Sequence, residues 1–334
     1  MTISIFIPVY NGQSFLPRTL NSVLGQSYPD LEILCVDDSS TDGSYALLQE
    51  YAERDHRIRL FQKPNGGSVP PSWEYIFPHI KGDFVLYMSQ DDLLEPDSIE
   101  RLVTRQRETG ADAVLPHEIH YVEGLPLEKM HHLKGVGGDV TPLISGKEAF
   151  WLMIDYSISG RALWPTTVVK RIGIRTDTFN ADELAQRQWI LNCDKVAFSD
   201  AVFYYYRNNP QSITEHFSPK ILEGALTDAY LFQLAEKELG DDQAYLKELG
   251  KQFFYHLYQR MIVYRQRKAT FSKEECEKVT ACFRKAYGIL RPWSSNDNWK
   301  FRLGSVNYTL LKEVVAFKCA QYKRKGILLP FDLN

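Results

Sequence analysis

The chain lacks the marks of several large protein classes. No apolar run reaches the roughly 20 residues that a membrane-spanning helix needs, so no span is expected. The opening MTISIFIPVYNG carries neither a basic leader nor a small-residue cleavage site, so it does not read as a signal peptide. Five cysteines, at positions 35, 193, 276, 282 and 319, show no CxxC spacing and no metal pattern with histidines. They are expected to be reduced thiols of a cytoplasmic protein. A glycine-rich phosphate loop of the GxxxxGK[ST] or GxGxxG type is missing after the first apolar segment. Internal repeats and low-complexity tracts are missing too.

What remains is an ordinary soluble composition, 44% apolar and 24% charged, over 334 residues. That length allows one large domain plus an appendage. The net charge of -3 hides an asymmetry: residues 291–326 hold eight Lys/Arg against two Asp/Glu, whereas the first 290 residues hold 31 against 39. A basic tail on an acidic body points to an anionic surface, such as membrane lipid, rather than to nucleic acid. A solvated helix face explains the same residues.

The first 115 residues alternate two periodicities. ISIFIPVY, LEILCVDD, IRLFQKP and DFVLYMSQDD are apolar strand-like runs; SFLPRTLNSVLGQ, SYALLQEYAERD and PDSIERLVTRQRETG carry helical spacing. This alternation predicts a mostly parallel α/β sheet with helices on both faces. A long loop is expected over 124–141, a helix at SGKEAFWLMID and a strand at KVAFSDAVFYYYR. From Ser218 onward the patterns are helical. The expected organisation is therefore 1–217, split near residue 115 into a nucleotide half and an acceptor half, and a helical region 218–334.

In parallel sheets ligands sit at the carboxyl ends of the strands. Those ends carry PVYNG, VDDSSTDGS and YMSQDDLLEP. Tyr10 offers a ring face for a planar base, while Asn11-Gly12 is also plain turn chemistry. Thr41 or Asp42 suits a helix N-cap, which leaves Asp37 and Asp38 unexplained; a carboxylate there can accept from a base or a ribose hydroxyl. Asp91 and Asp92, side by side at a strand end, repel one another unless something positive intervenes. A hard divalent cation, Mg²⁺ or Mn²⁺, held by one or two carboxylates and the phosphates of a substrate, meets that need.

PVYNG, VDDSSTDGS and SQDDLLEP, in this order and spacing, resemble the family 2 glycosyltransferases, inverting enzymes of GT-A type (Rossmann-like) fold. The resemblance covers about residues 2–215 and extends to FNADELAQRQWI and FYYYRNNPQSIT on the acceptor side. It implies transfer of a sugar from a nucleoside-diphosphate donor, with UDP the expected nucleotide. The acceptor would be a hydroxyl of a glycan or polyprenyl-linked glycan in bacterial surface-polysaccharide synthesis. By the same resemblance Pro8, Tyr10, Asn11, Asp37, Asp38 and Asp91 line the nucleotide, and Asp91 and Asp92 hold the metal. Asp182 is the catalytic base, with Glu183 its rival, and Arg187 and Arg207 lie toward the diphosphate or acceptor. Two departures stand out: Ser89 occupies a position that often carries Asp, and SVPPSWEY replaces an expected arginine, for which Lys63 is the substitute.

Several readings stay open at this stage. Asp182 and Glu183 equally suit a helix N-terminus, where acids are common. His131 and His132 are read as solvent-facing loop residues with a possible gating role, and Tyr204, Tyr205 and Tyr206 as core and cleft wall. Rival functions are a non-catalytic sugar-nucleotide binder or scaffold, and a sugar nucleotidyltransferase. The expected location is the cytoplasm, at the inner membrane face if the basic tail binds lipid.

Overall fold

A computed structural model describes residues 1–207, 217–240, 242–294 and 299–330. The NNPQSIT portion of the acceptor-side motif, residues 208–214, lies outside these residues. By packing, the chain divides into two units: Met1–Thr176 with Ala185–Asn209, and Asp177–Leu184 with Pro210–Asn334. The second unit thus begins earlier than the sequence boundary near 218, and it also takes in Asp177–Leu184.

The first unit opens with β1 (Ile3–Val9), α1 (Leu16–Leu24), β2 (Leu31–Asp37), α2 (Ser44–Arg54), β3 (Ile58–Gln62), α3 (Pro70–Ile76) and β4 (Phe84–Tyr87). Then follow β5 (Leu93–Leu94), α4 (Ser98–Thr109), β6 (Ala113–Tyr121), β7 (His131–Leu133), β8 (Leu143–Ile144) and α5 (Gly146–Ile154). The unit is completed by β9 (Trp164–Pro165), α6 (Thr166–Ile172), most of α7 (Ala181–Ile190) and β10 (Val196–Tyr206).

One sheet has the order β3-β2-β1-β4-β9, parallel except for β9. Its central strands are buried on both faces: Ile3, Ile5, Phe6 and Ile7 of β1 and Ile33, Leu34, Cys35 and Val36 of β2 have no solvent exposure. That is why these strands read as continuous apolar runs rather than alternating ones. A second sheet, β5-β10-β6-β7 with β8 on β10, was not anticipated as a separate layer. It joins β6 and β10 in parallel across a register shift between Phe198 and Val202. The expected 124–141 loop also holds β7, which pairs with β6.

Between β4 and the helices an edge-on indole cluster forms. Trp73 of α3 meets Trp189 of α7 at 5.2 Å between ring centroids, and Trp189 meets Trp164 at 5.5 Å. At the amino end of the first sheet, Glu32 is buried and accepts from Ser4 Oγ, the Gly82 amide and Arg59. A Cβ at Gly82 would lie 2.5 Å from Ser4 Oγ and 2.7 Å from its backbone nitrogen. Gly82→Ala is expected to lower stability by about 1–3 kcal/mol, the usual range for overpacking a dense interior. Urea unfolding checks this, and an unchanged midpoint contradicts it.

The second unit is helical: α8 (Pro219–Leu239), α9 (Gln243–Arg267), α10 (Lys273–Leu290), α11 (Trp299–Val306) and α12 (Tyr308–Arg324). Its core is built from Leu222, Phe232, Leu246, Phe254, Leu257 and Phe283. The Asp177–Leu184 segment is tied into this unit by side chains. Thr178 Oγ1 lies 2.6 Å from Thr227 Oγ1, and the Tyr230 hydroxyl donates to Asp177 at 3.1 Å.

Candidate active site

The carboxyl ends of β1, β2 and β4 carry PVYNG, VDDSSTDGS and SQDD, as expected for a parallel sheet. Pro8 sits within β1, and Tyr10 follows it with a side chain 45% exposed. That exposure leaves the ring face open to a ligand. Two left-handed residues shape these loops, Asn11 at φ 49° and Ser39 at φ 57°. Asn is one of the few residues that visit this backbone region routinely, and here Asn11 Oδ1 accepts the Thr41 amide at 2.7 Å while the Asn11 backbone amide donates to Ser40 Oγ at 3.0 Å. Asn11 therefore stitches the first loop to the second.

Asp37 is fully buried in β2 and accepts from the Ser40 amide at 3.2 Å and Gln62 Nε2 at 3.1 Å. Asp38 and Lys63 pair with one another, both buried, and Asp38 also accepts the Gly66 amide at 3.0 Å. Lys63 Nζ further donates to the Pro64 carbonyl at 2.9 Å. The Lys63 ammonium, expected as a stand-in phosphate contact, thus engages Asp38 and the loop that follows β3. The N-cap of α2 is Gly43 and not Thr41 or Asp42; Asp42, one position earlier, accepts the Ser44 amide at 2.9 Å.

A residue the sequence reading passed over joins two of the loops. Gln90 Oε1 accepts the Tyr10 amide at 2.9 Å while its Nε2 donates to the Tyr10 carbonyl at 3.0 Å. Thr19 Oγ1 donates to the Gln90 carbonyl at 2.8 Å. Gln90 so fixes the backbone beneath the Tyr10 ring.

The two aspartates of SQDD differ sharply. Asp91 is partly exposed, whereas Asp92 has no solvent exposure. Asp92 accepts the Ser89 amide at 2.8 Å and the Tyr206 amide at 3.2 Å, which anchors the turn after β4 to the end of β10. Arg161 Nη2 stands 3.6 Å from Asp92 Oδ2, and Arg161 Nη1 donates to Glu118 Oε2 at 3.2 Å. The positive group beside the paired carboxylates is thus a guanidinium of the chain itself. Burial pushes the Asp92 carboxyl up to about 7, and the Asp91 charge adds to this against Arg161. Burial also works against ionised Glu118. There the closer Arg161, the His120 ring at 3.0 Å and Ser159 Oγ at 2.6 Å prevail and hold it down to about 2. Arg161 also stacks over Tyr205, 4.2 Å from the ring centroid.

Among the described residues no group of three or more His, Cys, Asp or Glu side chains is placed to hold an ion. Asp92, expected as a ligand, accepts two amides and stands beside Arg161. Asp91 is the more exposed of the pair, and a divalent ion that takes its other ligands from substrate phosphates and water needs only one or two carboxylates.

The acceptor-side candidates are dispersed. Asp182 and Glu183 lie in the first turn of α7, partly exposed, in the second unit. Arg187 is buried in the first unit, donates to the Met153 carbonyl at 2.8 Å and lies under the Tyr156 ring. Its guanidinium thus reaches the carboxyl end of α5. Arg207 is exposed at the end of β10, 5.4 Å from the Tyr205 ring centroid. His131 and His132 are exposed on β7, and His132 Nδ1 lies 2.9 Å from His117 Nε2.

Comparison with known proteins agrees with this architecture. The family model for glycosyl transferase family 2 matches residues 4–169. A poly(ribitol-phosphate) beta-glucosyltransferase of Bacillus spizizenii is 26% identical over 244 residues, 68% of this chain and 36% of the relative. The S. aureus TarS 1-349 structure in complex with UDP-GlcNAc superposes with a TM-score of 0.66 at 17% identity, covering 98% of this chain and 92% of that one. A mannosyltransferase from Pyrobaculum calidifontis, in complex with GDP-Man and Mn²⁺, gives 0.52 at 15% identity over 96% of this chain and 87% of that one. The chain spans 19%, 40% and 36% of the length of the curated relatives that head the comparison. The parallel-rich α/β fold with its helical C-terminal region is of GT-A type. Through residues 4–169 the chain belongs to glycosyl transferase family 2.

Proposed function

We propose that the protein is an inverting glycosyltransferase that moves a sugar from a UDP-linked donor to a hydroxyl of a glycan or lipid-linked glycan in bacterial surface-polysaccharide synthesis. The observation that carries this reading is the meeting of an exposed Tyr10 and a partly exposed Asp91 at strand ends of a family 2 domain. The UDP-GlcNAc complex of the TarS structure supports the choice of nucleotide.

Tyr10 would stack on the base, with its backbone locked by Gln90. Asp38, buried with Lys63, shapes the loop against which the nucleoside rests. Asp91 would hold a divalent ion, Mn²⁺ or Mg²⁺, which neutralises charge on the departing diphosphate. Asp182 would accept the proton of the acceptor hydroxyl as its oxygen attacks the anomeric carbon from the face opposite the diphosphate, and Glu183 is the alternative base. One base without an enzymic nucleophile gives inversion. A panel of UDP-sugars with glycan acceptors tests the reading, the product anomer being assigned by NMR. A β-linked product from an α-linked donor supports it; retention of configuration, or no transfer from any donor, counts against it.

Base stacking on an aromatic ring contributes about 1–3 kcal/mol. Tyr10→Ala is accordingly expected to weaken UDP binding about 5- to 150-fold with little change in stability, since the ring is exposed. Calorimetric titration reads this, and an unchanged affinity removes Tyr10 from the site.

We also assign the C-terminal helix a lipid-facing role. Lys323, Arg324 and Lys325 are exposed beside Phe317, Ile327 and Leu328, which are 52%, 41% and 63% exposed. No helix of the described residues is long and apolar enough to cross a membrane, so the contact would be peripheral. Basic residues near an anionic surface contribute about 1 kcal/mol each. Flotation with phosphatidylglycerol vesicles at low and high salt tests the contact.

A further inference from the structure

We infer that Arg161 is a positioning residue of the donor site: it holds the turn bearing Asp91 in register by bridging Asp92 to Glu118. The inference rests on the reading above, in which Asp91 meets the donor diphosphate.

Three segments distant in sequence converge on this side chain. Asp92 comes from the turn after β4, Glu118 from β6, and the Tyr205 and Phe203 rings, 4.2 and 5.0 Å from the guanidinium carbon, from β10. Arg161 is 14% exposed, Glu118 4% and Asp92 not at all at the side-chain level. The segment that carries Arg161 is itself anchored: its amide donates to Ser159 Oγ at 2.9 Å, and Ser159 Oγ donates to Glu118 at 2.6 Å.

A buried ionic network of this kind is a poor means of gaining stability. Well-packed apolar residues of similar volume commonly serve a fold as well or better. Arg161 Nε is moreover buried with no hydrogen-bond partner among the described residues, which itself costs stability. Apolar side chains would lack the fork geometry that engages two carboxylates from different strands at once. Asp92 in turn accepts the Ser89 and Tyr206 amides, so the position of the guanidinium sets the backbone on either side of Asp91. Without it, the buried Asp92 carboxylate would stand next to Asp91 in sequence with no cation beside it.

The test is calorimetric titration of UDP at fixed Mn²⁺, and of Mn²⁺ at fixed UDP, on wild type, Arg161→Lys and Ser159→Ala, well below their melting temperatures. Arg161→Lys keeps the charge and loses the fork; it is expected to weaken UDP binding at least tenfold and to raise the half-saturating Mn²⁺ concentration. Ser159→Ala leaves every charge in place and is expected to move both quantities the same way by about two- to fivefold. It carries the test if Arg161→Lys fails to fold. A role confined to stability lowers the melting temperature of the folded variants while both affinities stay at the wild-type value, and that result overturns the inference. Absence of UDP binding by the wild type removes the donor-site reading and this inference with it. Wild-type binding that the variants share removes the inference alone.

Discussion

Replacing Asp182 by Asn is expected to slow sugar transfer about 10²- to 10⁴-fold, the range for loss of a positioned general base, while UDP affinity and melting temperature stay near wild type. Its place in the first turn of α7, partly exposed, suits two roles. An acid that only complements the helix dipole contributes about 0.3–1 kcal/mol to stability and nothing to turnover. A base contributes to turnover and little to stability. The two roles therefore separate on one variant when rate and stability are measured together. Glu183→Gln, in the same turn, assigns the role between neighbours: whichever substitution costs the larger factor in kcat marks the base. Rates within twofold of wild type for both variants would remove the base from this turn.

Glu118→Gln is expected to cost about 3 kcal/mol of stability near neutral pH. The carboxyl is held at about 2 against an ordinary value of 4.5, and each unit corresponds to about 1.4 kcal/mol. The sign follows from linkage. A carboxyl depressed in the folded state stabilises the fold above its unfolded value and loses that contribution as the pH falls through its folded value. Wild type should thus lose stability between about pH 4.5 and pH 2, and in Glu118→Gln that share of the acid dependence should vanish. Glu118 is 3% exposed, so solvent screening takes little from the figure. Urea midpoints at pH 7 and across the acid range check both statements; a variant as stable as wild type at pH 7 contradicts them.

The strands that build the site were legible because they are buried on both faces. β1, β2 and β4 carry apolar runs that end in polar clusters, and the parallel rule then places those clusters together. The second sheet was less legible for a physical reason. β5 and β8 are two residues long and carry no periodicity, and β7 is the tripeptide His131–Leu133. Their pairing is dictated by β6 and β10, partners far away in the chain.

The site divides the same way. Tyr10 and Asp91 face outward from strand ends, and strand-end position is a local property. Gln90, Glu118, Ser159 and Arg161 act through partners distant in sequence, so no local pattern announces them. Glu118 alone gave a sign, a charge inside the apolar stretch ADAVLPHEIHYV that must find a buried partner. The pairing of Asp38 with Lys63 was hidden for the reverse reason: both residue types suit a nucleotide site, and only the geometry shows that they are committed to one another. Asp92 is the instructive case. Two adjacent aspartates suggested two metal ligands, yet both lie in the turn after β4, where Asp92 is fully buried against the Ser89 and Tyr206 amides and Asp91 stays partly exposed.

Calorimetric titration of UDP with and without Mn²⁺, on wild type and Asp91→Asn, tests the donor site most directly. Wild type should bind UDP in a Mn²⁺-dependent manner, and Asp91→Asn should lose at least tenfold in affinity and most of the metal dependence. Failure of wild type to bind UDP under either condition, or identical metal-dependent binding by the variant, would contradict the assignment of Asp91 to the donor diphosphate.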